Sequence, residues 1–202
     1  MDRPTPERYR RNRSRIAQTA ARLIAEHGLT DWYAAKRKAC RELGLPGREA
    51  LPDNEEVEQA LRDYNSLFRQ DEQPARLRAQ RLDALRWMER LSEWKPVLTG
   101  AVAAGWATAH SAILLELEAE DAKTVELALI NAGIEYGPAP SRAGRPAMQV
   151  QLRVENPHGE LRLLIISPAE RRNRPRRERA VEGEDRLNLA QLRSLLAPQE
   201  ER

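Results

Sequence analysis

The stretch that decides the fold runs from Leu98 to Ile134 and reads LTGAVAAGWATAHSAILLELEAEDAKTVELALINAGI. In its middle, apolar and less apolar residues alternate with a period of two, which predicts a strand over Ala112–Glu118. Residues 122–132 change to the helical period, and Gly133 is a typical helix stop. Upstream, the pattern predicts a short strand at 97–98, a turn at Gly100 and a short helix over 101–108. The stretch therefore alternates strands and helices.

The residues that follow predict the rest of a small sheet. A loop rich in Gly and Pro covers 137–146, and two alternating segments, 148–154 and 160–166, flank the turn Asn156-Pro157-His158-Gly159. Such a turn between alternating segments predicts a β-hairpin. A last short helix is expected from about Asn188 to Leu196.

The residues before Leu98 predict helices only. Apolar residues recur at helical spacing over 8–27, from about 31 to 43, from near Asp53 or Asn54 to 68, and over roughly 74–94, and Asp31 can cap the second helix. In the third helix the apolar face is Val57, Ala60, Leu61, Tyr64 and Phe68. Leu82, Leu85, Met88 and Leu91 form the expected buried face of the fourth. The fold class is therefore α+β, with an N-terminal helical region before a small mixed-sheet domain.

Positive charge is concentrated near both ends of the 202-residue chain, although its net charge is only +3. Six arginines fall within residues 3–15 and six more within 171–179. Basic segments of this kind attract nucleic acid or acidic proteins through counterion release. A solvated tail without a partner is the alternative.

The Leu98–Ile134 stretch resembles the core of the polymerase β-type nucleotidyltransferases. The order strand, glycine turn, short helix, strand, helix is that of the core, and Leu98-Thr99-Gly100-Ala101-Val102 resembles its Gly-Ser signature. The segment VELALINAGI and the strand at 111–115 resemble an uncharacterised proteobacterial branch with an N-terminal helical region. The resemblance covers roughly residues 9–168 and implies a nucleotidyltransferase-like domain.

In active members of that superfamily, the Gly-Ser turn cradles nucleotide phosphates and two Asp residues on the next strand hold metal ions that stabilise the transferred phosphoryl group. Carried onto this chain, the Ser position is Ala101 and the two acids fall on Ala112 and Leu114, none of which ligates a metal. The resemblance therefore implies a noncatalytic domain with no cofactor. Thr99, Gly100 and Ala101 remain candidates for binding a phosphate through backbone N–H groups.

An alternative is a live enzyme that uses Mg²⁺ and a nucleoside triphosphate through displaced carboxylates, Glu116 and Glu118. Four residues along a strand span about 13 Å, which separates these acids from Gly100. The simpler expectation is that they pair across the sheet with Arg153 or Arg162, and that a cation takes the metal's place.

A second candidate site is a basic surface for nucleic acid, with single-stranded RNA the expected partner because Trp32 and Tyr33 could stack on bases. Its residues are Lys36, Arg37, Lys38 and Arg41 on the second helix, and Arg171, Arg172, Arg174, Arg176, Arg177 and Arg179 in the second arginine run. The alternative is solvated helix charge. A repressor-type helix-turn-helix is not expected, since Gly47 and Pro52 interrupt the place of the recognition helix.

Other classes are disfavoured by what the sequence contains. Cys40 and the three histidines show no metal-ligand spacing. The uncharged segment 96–115 is long enough to cross a bilayer but only weakly apolar, so no membrane partner is expected. A single cysteine and an N-terminus without an apolar stretch favour the cytoplasm.

These observations predict three regions: a helical region over 1–95 with a basic arm over 1–15, a degenerate nucleotidyltransferase-like domain over 96–168, and an Arg-rich tail over 169–202. The expected function is regulatory or accessory binding of nucleic acid or a nucleotide. A module that binds only protein is the further alternative.

Overall fold

The computed structural model describes residues 6–29, 31–46, 51–70, 72–139, 150–173 and 186–197, and it has a mixed helix-and-sheet architecture. It divides into two compact units. The first comprises Met1–Pro74 with Thr108–His110, and the second comprises Ala75–Ala107 with Ser111–Arg202. This division differs from the boundary expected after residue 95. The fourth helix groups with the sheet because Ala84, Met88 and Leu91 belong to the sheet's hydrophobic core.

The first unit is built on three helices, α1 (Pro6–His27), α2 (Trp32–Glu42) and α3 (Asn54–Phe68). The predicted N-cap of α2 is confirmed, because the Asp31 carboxylate accepts the Ala34 N–H. At the start of α3, Asp53 forms a capping box with Glu56. The predicted apolar face of α1 is buried, with Ile16, Ala20, Leu23 and Ile24 all at most 5% exposed. The segment expected as a basic arm is helical from Pro6 onward.

The predicted apolar faces of α3 and of α4 (Glu72–Arg90) are only partly buried. Phe68 at the end of α3 is 71% exposed, because the last turn of the helix extends beyond its packed face. Leu82 in α4 is also exposed, and the polar Gln80 and Asp83 are buried instead. The core of the second unit therefore has two polar side chains on its α4 side.

The second unit is built on a six-stranded mixed sheet of order β3-β4-β5-β2-β1-β6. Its strands are β1 (Val97–Thr99), β2 (Ile113–Glu118), β3 (Tyr136–Pro138), β4 (Val150–Val154), β5 (Leu161–Ile166) and β6 (Arg186–Leu187). Only β2 and β5 are parallel, and every other neighbouring pair is antiparallel. The hairpin predicted around Asn156–Gly159 is confirmed as β4–β5, whereas β3 and β6 were not predicted.

The remaining helices of this unit connect or follow the strands: α5 (Gly100–Ala104), α6 (Ala122–Asn131), α7 (Pro168–Asn173) and α8 (Leu189–Leu196), with a short 3₁₀ helix at Ser92–Trp94. The core contains Val125 and Leu129 of α6 and Leu192 of α8 together with the alternating apolar residues of β2. Burying one such side chain contributes about 2 kcal/mol. The element order β1, α5, β2, α6 is the one expected from the sequence.

The other face of the sheet carries both polar and apolar side chains. Strand register aligns one row as Arg186, Thr99, Leu114, Arg162 and Arg153. The next row contains Val97, Glu116, Leu164 and Gln151. Leu114, which the resemblance places at a metal-binding position, and Glu116, one of the displaced-carboxylate candidates, therefore both lie on this face.

Candidate functional sites

The glycine turn sits between β1 and α5 in a conformation that requires glycine. Gly100 has φ +71°, in the left-handed region, and a Cβ at this position would lie 3.1 Å from the Leu114 Cδ1 atom. Thr99 and Ala101 are each 8% exposed, and the Thr99 side chain makes no cap hydrogen bond to α5. The three candidate phosphate-binding residues are therefore adjacent but packed, with Leu114 against the glycine.

Arg81 of α4 fixes the other end of this short helix. Its guanidinium donates to the Val102 and Ala103 carbonyl oxygens, both at 3.0 Å, and burial lowers the pKa of the Arg81 side chain. A cation at a helix C-terminus can donate to the free carbonyl oxygens there. Arg81 therefore fixes the C-terminal end of α5, and with it the Gly100 turn at the other end of this short helix.

Glu116 is neutralised by a residue that the sequence analysis missed. Arg186 of β6 donates to both carboxylate oxygens, at 3.2 and 2.5 Å, and the two side chains are only 10% and 14% exposed. The Nε atom of Arg186 is buried and makes no hydrogen bond to the part of the chain that the structure describes. Because β6 is two residues long, no period in the sequence marks it, and 70 positions separate the partners.

Glu118 also pairs with cations from its own unit. Its carboxylate accepts from Arg171 of α7 at 2.6 Å and lies 3.5 Å from the Lys95 ammonium. The expectation that Glu116 and Glu118 pair with Arg153 or Arg162 was therefore wrong. Those two arginines instead face Glu160, the residue before β5, with Arg162 Nε 2.5 Å from one of its oxygens and Arg153 3.9 Å from the other. Arg162 pairs with Glu160 because the two residues are only two positions apart in the chain.

The candidate nucleic-acid residue Lys36 is buried and does not belong to a surface patch. It is 6% exposed, and its ammonium donates to the Asn54 amide oxygen at 2.7 Å. Burial lowers the pKa of Lys36, a change that the nearby Asp53 and Glu56 carboxylates oppose. Its prediction as a nucleic-acid contact is corrected on this ground.

The other three candidates on α2 reach the surface. Arg37 and Arg41 are exposed and Lys38 is half-buried. Tyr33, one turn before Arg37, is 66% exposed, and residues 33, 37 and 41 follow at intervals of four on one stripe of the helix. The stripe places an aromatic ring in line with two guanidinium groups.

The two helices α1 and α2 together hold ten Arg and Lys residues against three Glu. Arg13 is neutralised by Glu56 and Asp53, and the hydrogen bond that its guanidinium donates to Glu56 raises the pKa of Arg13. Arg22 pairs with Glu26 and Glu42. Among the residues that the structure describes, Lys38 and Arg41 of α2 and the exposed Arg10, Arg11 and Arg15 of α1 have no ion-pair partner.

The second arginine run is described only at its start. Arg171 is held by Glu118, and Arg172 is exposed on α7. Arg174, Arg176, Arg177 and Arg179 lie outside the described residues. Arg171 is therefore a structural partner of β2 in its own unit.

A polar cluster around Asp83 was missed by the sequence analysis. The Asp83 side chain is 4% exposed and accepts from His158, Asn156 and Arg86 at 2.8, 2.8 and 3.2 Å. The Trp87 indole N–H in turn donates to the Asn156 amide oxygen at 3.1 Å. The only sequence signal was indirect: an aspartate on the inner side of α4, and a histidine in the predicted turn.

Within the described ranges, no group of three or more His, Cys, Asp or Glu side chains is placed to hold a metal ion. No described helix is both long and apolar enough to cross a membrane.

The comparisons with known proteins found no match. No protein-family model matches the chain, and neither a curated protein nor a solved structure is significantly similar to it.

Proposed function

We propose that the protein binds single-stranded nucleic acid, with RNA the expected partner, through the exposed basic surface of α1 and α2, and that it does so without catalysis. The observation that carries this proposal is the stripe of Tyr33, Arg37 and Arg41 on α2. Tyr33 is 66% exposed, so its ring is accessible for stacking on a base.

The stripe has the two elements that single-strand binding needs. An exposed aromatic ring stacks on any base and contributes about 1–3 kcal/mol per base, while guanidinium groups neutralise the phosphates beside it. The excess of basic over acidic residues on α1 and α2 adds a favourable field for a polyanion. Arg10, Arg11 and Arg15 extend the same charge along α1.

Catalysis by nucleotidyl transfer has less support. The two carboxylates that would hold Mg²⁺ are occupied by Arg186 and by Arg171 with Lys95. At the glycine turn, Leu114 packs against the residue that a phosphate would approach. We infer kinship with the nucleotidyltransferase core from the order of β1, α5, β2 and α6 alone, and this kinship stays a proposal.

The test is fluorescence anisotropy of the full chain with a labelled single-stranded RNA over a range of salt concentrations. Replacing Arg37 and Arg41 together by alanine should weaken binding and lower the slope of log K against log salt by roughly 1.4, since each phosphate contact with a single strand contributes about 0.7. Tyr33→Ala should weaken binding about tenfold with an unchanged slope, because stacking releases no counterion.

Lys36→Met is the matched control, since it removes a cation from the same helix but from its buried side. It should leave the affinity unchanged. Equal losses for Lys36→Met and for the arginine pair, or no binding by wild type at low salt, would refute the proposal. Binding of duplex DNA with the same affinity would show that the aromatic ring is not used.

A further inference from the structure

The cluster around Asp83 in the second unit holds His158 in a defined chemical state. A carboxylate has no proton to give, so the His158 Nδ1 atom donates to Asp83 Oδ2 across 2.8 Å. In the neutral ring the lone pair then lies on Nε2, the opposite nitrogen. This Nε2 atom makes no hydrogen bond to any residue that the structure describes.

The Asp83 carboxylate is itself held in place by Asn156. Asn156 donates to the same Oδ2 atom at 2.8 Å and to the Gly159 carbonyl at 3.2 Å. The Trp87 N–H orients the Asn156 amide, so its Nδ2 faces Asp83. The acid and the two groups that set its direction thus come from α4 and from the β4–β5 turn, both of which belong to the second unit.

The cluster also presents a positive charge at the surface. Arg86 contacts the other oxygen of Asp83, and its side chain is 75% exposed, while His158 is 49% exposed. An oriented imidazole with a free lone pair and an exposed guanidinium therefore share one buried carboxylate. A cation beside a nucleophile attracts reagents that carry phosphoryl oxyanions.

We propose that His158 is a phosphoryl-acceptor site, which takes a phosphoryl group on Nε2 from a small donor of the acyl phosphate or phosphoramidate class. The Nε2 lone pair attacks phosphorus and forms the P–N bond. The bond from phosphorus to the leaving group breaks, and its electron pair goes to the leaving carboxylate or, in a phosphoramidate whose nitrogen is already protonated, to the leaving amine. Nδ1 keeps its proton, so the ring becomes cationic, and the buried Asp83 carboxylate stabilises that charge.

The experiment treats the full chain with potassium phosphoramidate and, separately, with acetyl phosphate. The product is located by peptide mass spectrometry under alkaline conditions, which preserve the P–N bond. We expect one phosphoryl group on His158 and none on His27 or His110. The matched variants His27→Asn and His110→Asn should retain the modification.

His158→Asn separates chemistry from structure, since the asparagine amide can replace Nδ1 as the donor to Asp83 but has no nucleophilic nitrogen. It should abolish modification while keeping the thermal midpoint of the wild type. Asp83→Asn should slow modification at least about tenfold, the effect of roughly 1.4 kcal/mol on the barrier. Arg86→Gln, at an exposed position that leaves the fold intact, should slow the reaction with acetyl phosphate.

Three results would overturn the proposal. They are no modification of His158 by either donor, equal modification of all three histidines, and an unchanged rate in Arg86→Gln together with Asp83→Asn. If Asp83→Asn fails to fold, the Arg86→Gln rate alone decides whether the shared carboxylate cluster recruits the donor.

Discussion

Replacing Arg186 by alanine is expected to lower the free energy of unfolding of the second unit by about 3 kcal/mol. The side chains of Arg186 and Glu116 are 10% and 14% exposed and share two hydrogen bonds. Removing Arg186 takes two hydrogen bonds from the largely buried Glu116 carboxylate. Breaking a buried ion pair in this way costs about 3–5 kcal/mol. The lower end applies because each side chain keeps some contact with water.

The measurement is urea denaturation followed by tryptophan fluorescence. Three of the four tryptophans, Trp87, Trp94 and Trp106, lie in the second unit, so the signal reports mainly on it. The matched control is Arg193→Ala in α8, because Arg193 pairs with Glu89 at 2.7 Å but the side chains are 57% and 45% exposed. An exposed pair contributes at most about 1 kcal/mol.

The double variant Arg186→Met with Glu116→Leu removes both charges and keeps apolar volume, so it should recover most of the lost stability. The reasoning fails if Arg186→Ala costs no more than Arg193→Ala. It also fails if the double variant is as unstable as the sum of its two single variants, because the two charges would then be uncoupled.

Three further predictions concern single positions. Gly133→Ala should lower the free energy of unfolding by about 1 kcal/mol, because Gly133 has a φ of +66°. Gly100→Ala should lower it by roughly 1 kcal/mol more, because the new Cβ also meets Leu114. Equal losses for the two variants in urea titrations would contradict this prediction. Asp31→Ala should lower stability by about 1 kcal/mol and Asp31→Asn by much less, since only alanine removes the α2 N-cap acceptor, as thermal melting will test. Because burial lowers the pKa of Lys36 in the folded chain, the unfolded chain binds more protons between that lowered pKa and 10.5, and stability rises with pH across this window. Lys36→Met should reduce that rise in denaturation curves measured over the same pH range, and an identical pH dependence in both proteins would count against the assignment.

The sequence predicted those elements whose signal is local and repeated. The apolar period of α1 and the alternation in β2 were each sufficient because one face of each element is buried. The turn at Asn156–Gly159 marked the hairpin, and it placed β5, which is buried at every position except Arg162. The cap at Asp31 was readable because side-chain capping acts within three residues. Such elements need no knowledge of what they pack against.

The edge strands could not be predicted for the opposite reason. β3 has three residues and β6 has two, too few to show any alternation. Each exists because a longer neighbour, β4 or β1, offers unpaired backbone groups. Their positions depend on tertiary structure, which the sequence pattern does not contain.

The sites divide in the same way. Tyr33 and Arg37 could be predicted as surface residues because they lie away from the buried side of α2. Lys36 was wrongly predicted to be a surface residue because helical spacing does not reveal that its ammonium binds the Asn54 side chain. The partners of Glu116 and Asp83 lie 70 and 75 positions away. Contacts over such distances follow from the sheet register and from the packing of α4.

The pairing of β1 with β6 has a consequence for how the chain is made. Residues 97–99 leave the ribosome long before residues 186–187, so until then this edge of the growing sheet has unpaired N–H and C=O groups. The parallel pair β2–β5 also waits for a segment about fifty positions further on. Long-range pairing slows folding, so the newborn second unit should depend on chaperones for longer than the three-helix unit, whose contacts are complete far earlier in synthesis.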